Sequence, residues 1–100
     1  MFIVEKTDTF LNWLRDLRDV RAVARIQVRI DRLALGNPGD VKAIGGGVSE
    51  LRVDYGPGYR VYFAQRGKTL VVLLCGGDKR TQNTDILTAK KLARELNHDT

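Results

Sequence analysis

Residues 50–67 read ELRVDYGPGYRVYFAQRG. On either side of Gly56-Pro57-Gly58, apolar and polar residues alternate with a period of two, the pattern of a half-buried β-hairpin. Successive side chains on a strand point to opposite faces, so Leu51 and Val53 on the first arm must share a face with Val61 and Phe63 on the second. Matching these apolar sets requires paired residue numbers with an even sum, and the tightest such arrangement leaves Gly56-Pro57-Gly58 as the loop. Tyr55 then pairs with Tyr59, Val53 with Val61 and Leu51 with Phe63. On the other face Asp54 meets Arg60, Arg52 meets Tyr62 and Glu50 meets Ala64. The hairpin therefore has an apolar face for a core and a polar face that gathers two arginines, a tyrosine and a glutamate.

The flanking sequence supplies the remaining elements. Phe2 to Lys6 reads as a short strand, and Asp8 or Thr9 can cap a helix whose Phe10, Trp13, Leu14 and Leu17 recur at helical spacing. A second helix over Val20 to Leu35 puts Val23, Ile26, Ile30 and Leu33 on one side and stops at Gly36-Asn37-Pro38-Gly39. A short extended piece at Val41 to Ile44 follows, then Gly45-Gly46-Gly47 and three strands at Val48–Tyr55, Tyr59–Gln65 and Thr69–Gly76. The glycine run lacks the Gly-Lys-Ser/Thr of a phosphate loop and reads as a turn. A last helix over Thr84 to Leu96 directs Ile86, Ala89, Leu92 or Ala93, and Leu96 toward a core. The expected architecture is α/β (α+β), ordered β-α-α-β-β-β-α, with an antiparallel-rich sheet and helices packed on one face.

The 100 residues, 43% hydrophobic and 29% charged, fit one domain spanning 1–100 with a single core. The longest apolar run, Leu70 to Cys75, falls well below the roughly 20 residues of a membrane span. Met1-Phe2-Ile3-Val4 meets Glu5 too early for a signal peptide, so a cytoplasmic location without a membrane partner is expected. One cysteine and one histidine, Cys75 and His98, make neither an internal disulfide nor a zinc cluster, and no cofactor is expected. A net charge of +5 points to an acidic or polyanionic partner.

Two chemistries fit the polar hairpin face. It is either a solvated sheet face, held by an Asp54–Arg60 pair and an Arg52–Tyr62 contact, or a surface for RNA. Arginine forks match phosphate oxygens, and an exposed aromatic ring stacks an unpaired base. Gly76-Gly77-Asp78-Lys79-Arg80 passes from the next strand toward a helix start and suits an anion, bringing Lys79 and Arg80 to the same region. Arg18, Arg21, Arg25, Arg29 and Arg32 recur at steps of three and four along one side of the second helix. That stripe is either a solvated face balanced by Asp19 and Asp31 or a means of docking on ribosomal RNA. Phe10 and Trp13 read as core.

The segments ARIQVRIDRLALGNPGDVK (24–42), GVSELRVDYGPGYRVYF (47–63) and LLCGGDKRTQNTDILTAKKLARE (73–95), in that order, resemble the addiction-module killer proteins, HigB-like members of the RelE/ParE toxin superfamily. The resemblance covers Phe10 to Glu95. It implies a toxin neutralised by a cognate antitoxin, often of helix-turn-helix type, and for many members cleavage of mRNA on the ribosome. It implies further that the 2′-hydroxyl attacks the adjacent phosphorus to leave a 2′,3′-cyclic phosphate, without a metal. On that reading Arg52 and Arg60 stabilise the developing charge, and Tyr62 holds a base or shares in proton transfer. Glu50 or Lys79 is the general base. Some superfamily toxins use a tyrosine or histidine near the C-terminus as general acid; here only His98 follows Phe63 among aromatic residues. The alternative within the superfamily is a ParE-like poison of DNA gyrase that cuts nothing itself, and a third reading is a non-catalytic partner or repressor component.

Overall fold

The hairpin is present as β3 (Val48–Val53) and β4 (Tyr59–Arg66), joined by residues 54–58. It belongs to a computed structural model that describes residues 1–98, the side chain of His98 lying outside the described residues. The even-sum rule holds, so the two faces are as expected, but the register is two residues away from the tightest one. Val53 pairs with Tyr59, Leu51 with Val61, Arg52 with Arg60 and Glu50 with Tyr62. The cause is Tyr55, which leaves the ladder. Its hydroxyl donates to Asp19 Oδ2 at 3.1 Å, and the Arg25 guanidinium lies 4.9 Å from its ring centroid. Contacts of this kind on the helix side outweigh one more strand pair. Asp54 is thereby carried into the loop, away from its expected place opposite Arg60.

The sheet has five strands in the order β1-β5-β4-β3-β2, with β1 (Ile3–Lys6) parallel to β5 (Leu70–Gly77) and the other neighbours antiparallel. The extended piece before the glycine run is a full edge strand, β2 (Val41–Gly45). The observed order is therefore β-α-α-β-β-β-β-α, an α+β arrangement with an open, mostly antiparallel sheet and three helices. All three glycines of residues 45–47 have positive φ, between +64° and +91°, as their turn between β2 and β3 requires.

Helix α1 (Asp8–Asp16) is capped by Thr7, in place of the expected Asp8 or Thr9. The Thr7 Oγ1 accepts from Phe10 N at 3.0 Å and donates to the Leu74 carbonyl at 2.6 Å, so one hydroxyl both starts the helix and ties it to β5. Asp19 caps α2 (Val20–Ala34) through Arg21 N and Ala22 N. On one face of the sheet, Phe10, Ala22, Ile26, Ile30 and Leu33 of these helices pack on Leu51, Val53, Val61, Phe63, Val71 and Leu73.

The third helix, α3 (Gln82–His98), lies on the opposite face. Ala89 and Ala93 are buried there against Tyr62, Ala64, Val72, Leu74 and Cys75, flanked by Ile86, Leu92 and Leu96. The expectation that all helices share one face is thus corrected. Residues 61–64 and 71–75 are buried without interruption, so β4 and β5 present apolar side chains on both faces and both need cover. A bulge at Leu74 between the Tyr62–Cys75 and Phe63–Leu73 pairs adds one more apolar side chain to the α3 face. No helix among the described residues is long and apolar enough to cross a membrane.

Candidate functional site

On the α3 side of the hairpin the polar residues do not simply face water. Glu50 is 1% exposed and stands opposite Tyr62, one step along the face from the Arg52–Arg60 pair. Its Oε1 accepts from Arg52 Nε at 3.2 Å. Its Oε2 accepts from the Tyr62 hydroxyl at 3.1 Å and from Gln82 Nε2, at the start of α3, at 2.9 Å. Arg60 Nε lies 3.7 Å from the same oxygen. A carboxylate withdrawn from water needs such a ring of donors, and two cations offset the cost of burying its charge.

This arrangement corrects two expectations. The Tyr62 ring is wholly buried beneath α3, leaving no face on which a base can stack. Burial first, and the neighbouring Glu50 charge second, raise its hydroxyl pKa well above the ordinary tyrosine value, so it remains a donor. Glu50 is likewise occupied: its oxygens accept from Arg52, Tyr62 and Gln82, so a substrate hydroxyl has to displace one of these donors to reach it. The partner of Arg60 is Glu50, and Asp54 is not.

The outer ends of the two arginines border a hollow of about 230 Å³ lined also by Asp40, Asp54, Gly58 and Tyr59. Arg60 Nη1 donates to the Gly58 carbonyl at 2.8 Å, and Arg52 Nη1 lies 4.0 Å from Asp40 Oδ1. A Cβ at Gly58, whose φ is +81°, would meet Arg60 Nη1 and the Lys79 Cβ, so the exposed Lys79 starts from beside Gly58. Arg52 and Arg60 therefore border one hollow, and the carboxylates of Asp40 and Asp54 line it with them.

The expected anion cradle at residues 76–80 is filled from within. A Cβ at Gly77 would lie 1.7 Å from Asp85 Oδ2, and a carboxylate thus occupies the space over this glycine. Asp85 accepts from Thr81 Oγ1 at 2.5 Å, and burial raises its pKa above the ordinary carboxylate range, an effect the Thr81 bond opposes. Asp78 receives Arg80 N at 2.8 Å and Arg80 Nη2 at 2.9 Å, and the Arg80 bonds pull its pKa below that range. Arg80 is thus engaged locally, while Lys79 is exposed.

The basic stripe divides in the same way. Arg18 lies in the connection before α2 and is not part of that helix. Arg29 is drawn inward, donating to the carbonyls of Arg52, Pro38 (2.8 Å) and Asp40 (3.5 Å), a clamp that ties the approach to β2 to the end of β3. Arg25 lies over Tyr55. Arg18, Arg21 and Arg32 are exposed. Arg25, Arg29 and Arg32 line, with Val28 and Val53, a second hollow of about 370 Å³ between α2 and the hairpin end. Among the described residues no group of three or more His, Cys, Asp or Glu side chains is placed to hold a metal ion.

Residues 12–97 match the model of the family described as phage derived protein Gp49-like (DUF891). The chain belongs to the Gp49-like family. This is a toxin–antitoxin-type family related to RelE/ParE. A Haemophilus influenzae protein described as uncharacterized is 53% identical over 93 residues, which make up 93% of this chain and 94% of the relative. The family match takes in both hairpin arms, Lys79 and α3, and hence every residue of the Glu50 network.

Reading the Gp49-like sequence alone missed Gln82, Gly58 and Asp40. Gln82 falls two residues before the expected start of the last helix. The uninterrupted apolar run Leu70 to Cys75 was the available signal for it. A strand apolar on both faces demands cover on both, and the last helix is the element left to provide it.

Proposed function

We propose that this Gp49-like protein acts in the cytoplasm as a single-domain, HigB-like toxin of a type II toxin–antitoxin pair, inhibiting translation as a ribosome-dependent mRNA endoribonuclease. The observation that carries the reading is that Arg52 and Arg60 border one hollow and are both paired with a buried carboxylate, with Lys79 beyond Gly58. In such a site the 2′-hydroxyl of a bound nucleotide attacks its own phosphorus. The bond to the 5′-oxygen breaks, and a 2′,3′-cyclic phosphate and a 5′-hydroxyl result. The two guanidiniums meet the charge that grows on the phosphoryl oxygens, the step at which a fixed donor contributes most. Lys79, exposed beside Gly58, is assigned the task of accepting or returning a proton. The cognate antitoxin, a helix-turn-helix type, silences the toxin by covering the basic hollow or blocking the approach to the ribosome.

Induction in cells, with RNA 5′ ends mapped and gyrase-linked DNA breaks scored in the same cultures, tests the reading. New 5′ ends within translated mRNA, without DNA breaks, are the expected result. DNA breaks without new 5′ ends would instead establish the gyrase-poison alternative.

A further inference from the structure

Arg52 and Arg60 face each other directly across β3 and β4, a position in which two like charges repel. Long guanidinium side chains in such a pair gain by swinging apart, and a phosphate site needs them together. Glu50 lies beneath both, sealed from water; it accepts a hydrogen bond from Arg52 Nε, and its other oxygen lies 3.7 Å from Arg60 Nε, a buried nitrogen without a hydrogen-bond partner that this carboxylate holds by charge. The terminal nitrogens are directed outward, Arg60 Nη1 to the Gly58 carbonyl and Arg52 Nη1 toward Asp40, at the rim of the 230 Å³ hollow. Tyr62 from β4 and Gln82 from α3 fix the carboxylate itself by donating to Oε2.

We infer that Glu50 is a positioning residue for RNA phosphate: its buried carboxylate holds Arg52 by a hydrogen bond at Nε and Arg60 by the ion pair beside it, so that both terminal forks address one phosphodiester of a single strand. The inference rests on the proposed reading that these two arginines meet the RNA. Glu50 touches neither the 2′-hydroxyl nor the leaving oxygen, and no proton passes through it. Its contribution is orientation, and that has a distinctive sign. By charge alone, removing an anion beneath two arginines would strengthen the binding of a polyanion. If orientation dominates, the same change weakens binding although net charge rises by one.

The test uses the full chain and a fluorescently labelled single strand of 2′-O-methyl RNA, which cannot undergo 2′-hydroxyl attack, so affinity is read apart from cleavage. Arg52→Ala and Arg60→Ala should each weaken binding about tenfold, the scale of one charge-assisted hydrogen bond. Glu50→Gln should weaken it by a similar factor, and Glu50→Gln with Arg52→Ala should be little worse than either alone, because one interaction is removed twice. If the arginine variants weaken binding while Glu50→Gln equals or exceeds wild type, the positioning role is overturned and the sheet-face site stands. Unchanged affinity together with loss of the acid limb of the cleavage rate–pH profile would overturn it too, in favour of a general base. Wild-type affinity in all the variants would sink the sheet-face reading as well. Should Glu50→Gln fail to fold, Gln82→Leu carries the test, because it frees the carboxylate without altering charge. A severalfold loss of affinity supports the inference, and an unchanged affinity overturns it.

Discussion

Gly76 lies under the indole of Trp13, and a Cβ added there would sit 2.3 Å from the ring. Since that ring is also packed at 5.9 Å from Phe10 and 6.3 Å from Tyr59, it has little room to yield. Gly76→Ala should therefore cost about 1–3 kcal/mol by overpacking, read as a lower urea midpoint at unchanged slope. Its neighbour Cys75 is 3% exposed, and burial, with a smaller effect from Asp85, pushes its thiol from an ordinary value of 9.0 up to about 12. The folded protein should resist alkylation at pH 8 and react only on unfolding. The raised pKa also fixes the sign of a pH effect: the thiol's contribution is intact below about pH 9 and is lost as the pH climbs toward 12, because the unfolded chain gives up its proton first. At the hollow, Lys79→Ala should leave stability within about 0.5 kcal/mol, whereas Arg52→Ala, which strips a donor from the buried Glu50, should cost about 1–3 kcal/mol; each should lower ribosome-dependent cleavage by about 100- to 1,000-fold. Full cleavage by both variants would remove the hollow from the mechanism. The control for Arg60→Ala is Glu50 and not Asp54, since the register places the former beside its guanidinium.

At the level of elements, period-two alternation fixed which face of the hairpin each residue takes, because a strand offers no intermediate choice. It did not determine how far the two arms slide, because registers two residues apart place the same side chains on the same faces. The choice was made outside the hairpin, by Tyr55 bonding to Asp19 and stacking under Arg25. The location of α3 was hidden for a related reason. Its buried positions are two alanines, and small residues at helical spacing say that something comes close without saying which face of a sheet it covers. The consequence for the site was large: residues read as an open surface became, in Glu50 and Tyr62, a sealed network. Asp19 joins these effects in one side chain, as it caps α2 and anchors the hairpin end. Asp19→Ala should lose about 1–2 kcal/mol, while Asp19→Asn, which keeps an acceptor for the cap, should recover most of that in denaturant titrations. Equal losses in the two variants would show that the negative charge, and not the cap, is what α2 needs.

Over the whole molecule, the net charge of +5 is not spread evenly in its availability. Arg29, Arg25 and Arg80 are committed to backbone carbonyls, a tyrosine ring and Asp78, and both Arg52 and Arg60 share the charge of Glu50. On the proposed reading, the exposed Arg18, Arg21 and Arg32 around α2 are left available for long-range attraction to ribosomal RNA. The two sets should separate in kinetics. Replacing Arg18, Arg21 and Arg32 together by Gln removes encounter and docking terms, so the ribosome concentration for half-maximal cleavage should rise and its salt dependence should flatten. Replacing Arg52, Arg60 and Lys79 together by Ala removes the charge at the reacting phosphate, so the maximal rate should collapse. On the proposed reading the second set also meets single-stranded RNA directly. Three lost phosphate contacts should lower the log–log salt slope of single-strand binding by about two, at roughly 0.7 per contact. Measuring cleavage against ribosome concentration at several salt concentrations distinguishes the two roles. A helix variant that lost maximal rate at an unchanged half-saturation point would contradict the division, because distant exposed cations can hasten arrival but have no contact with the phosphorus through which to change the chemical step.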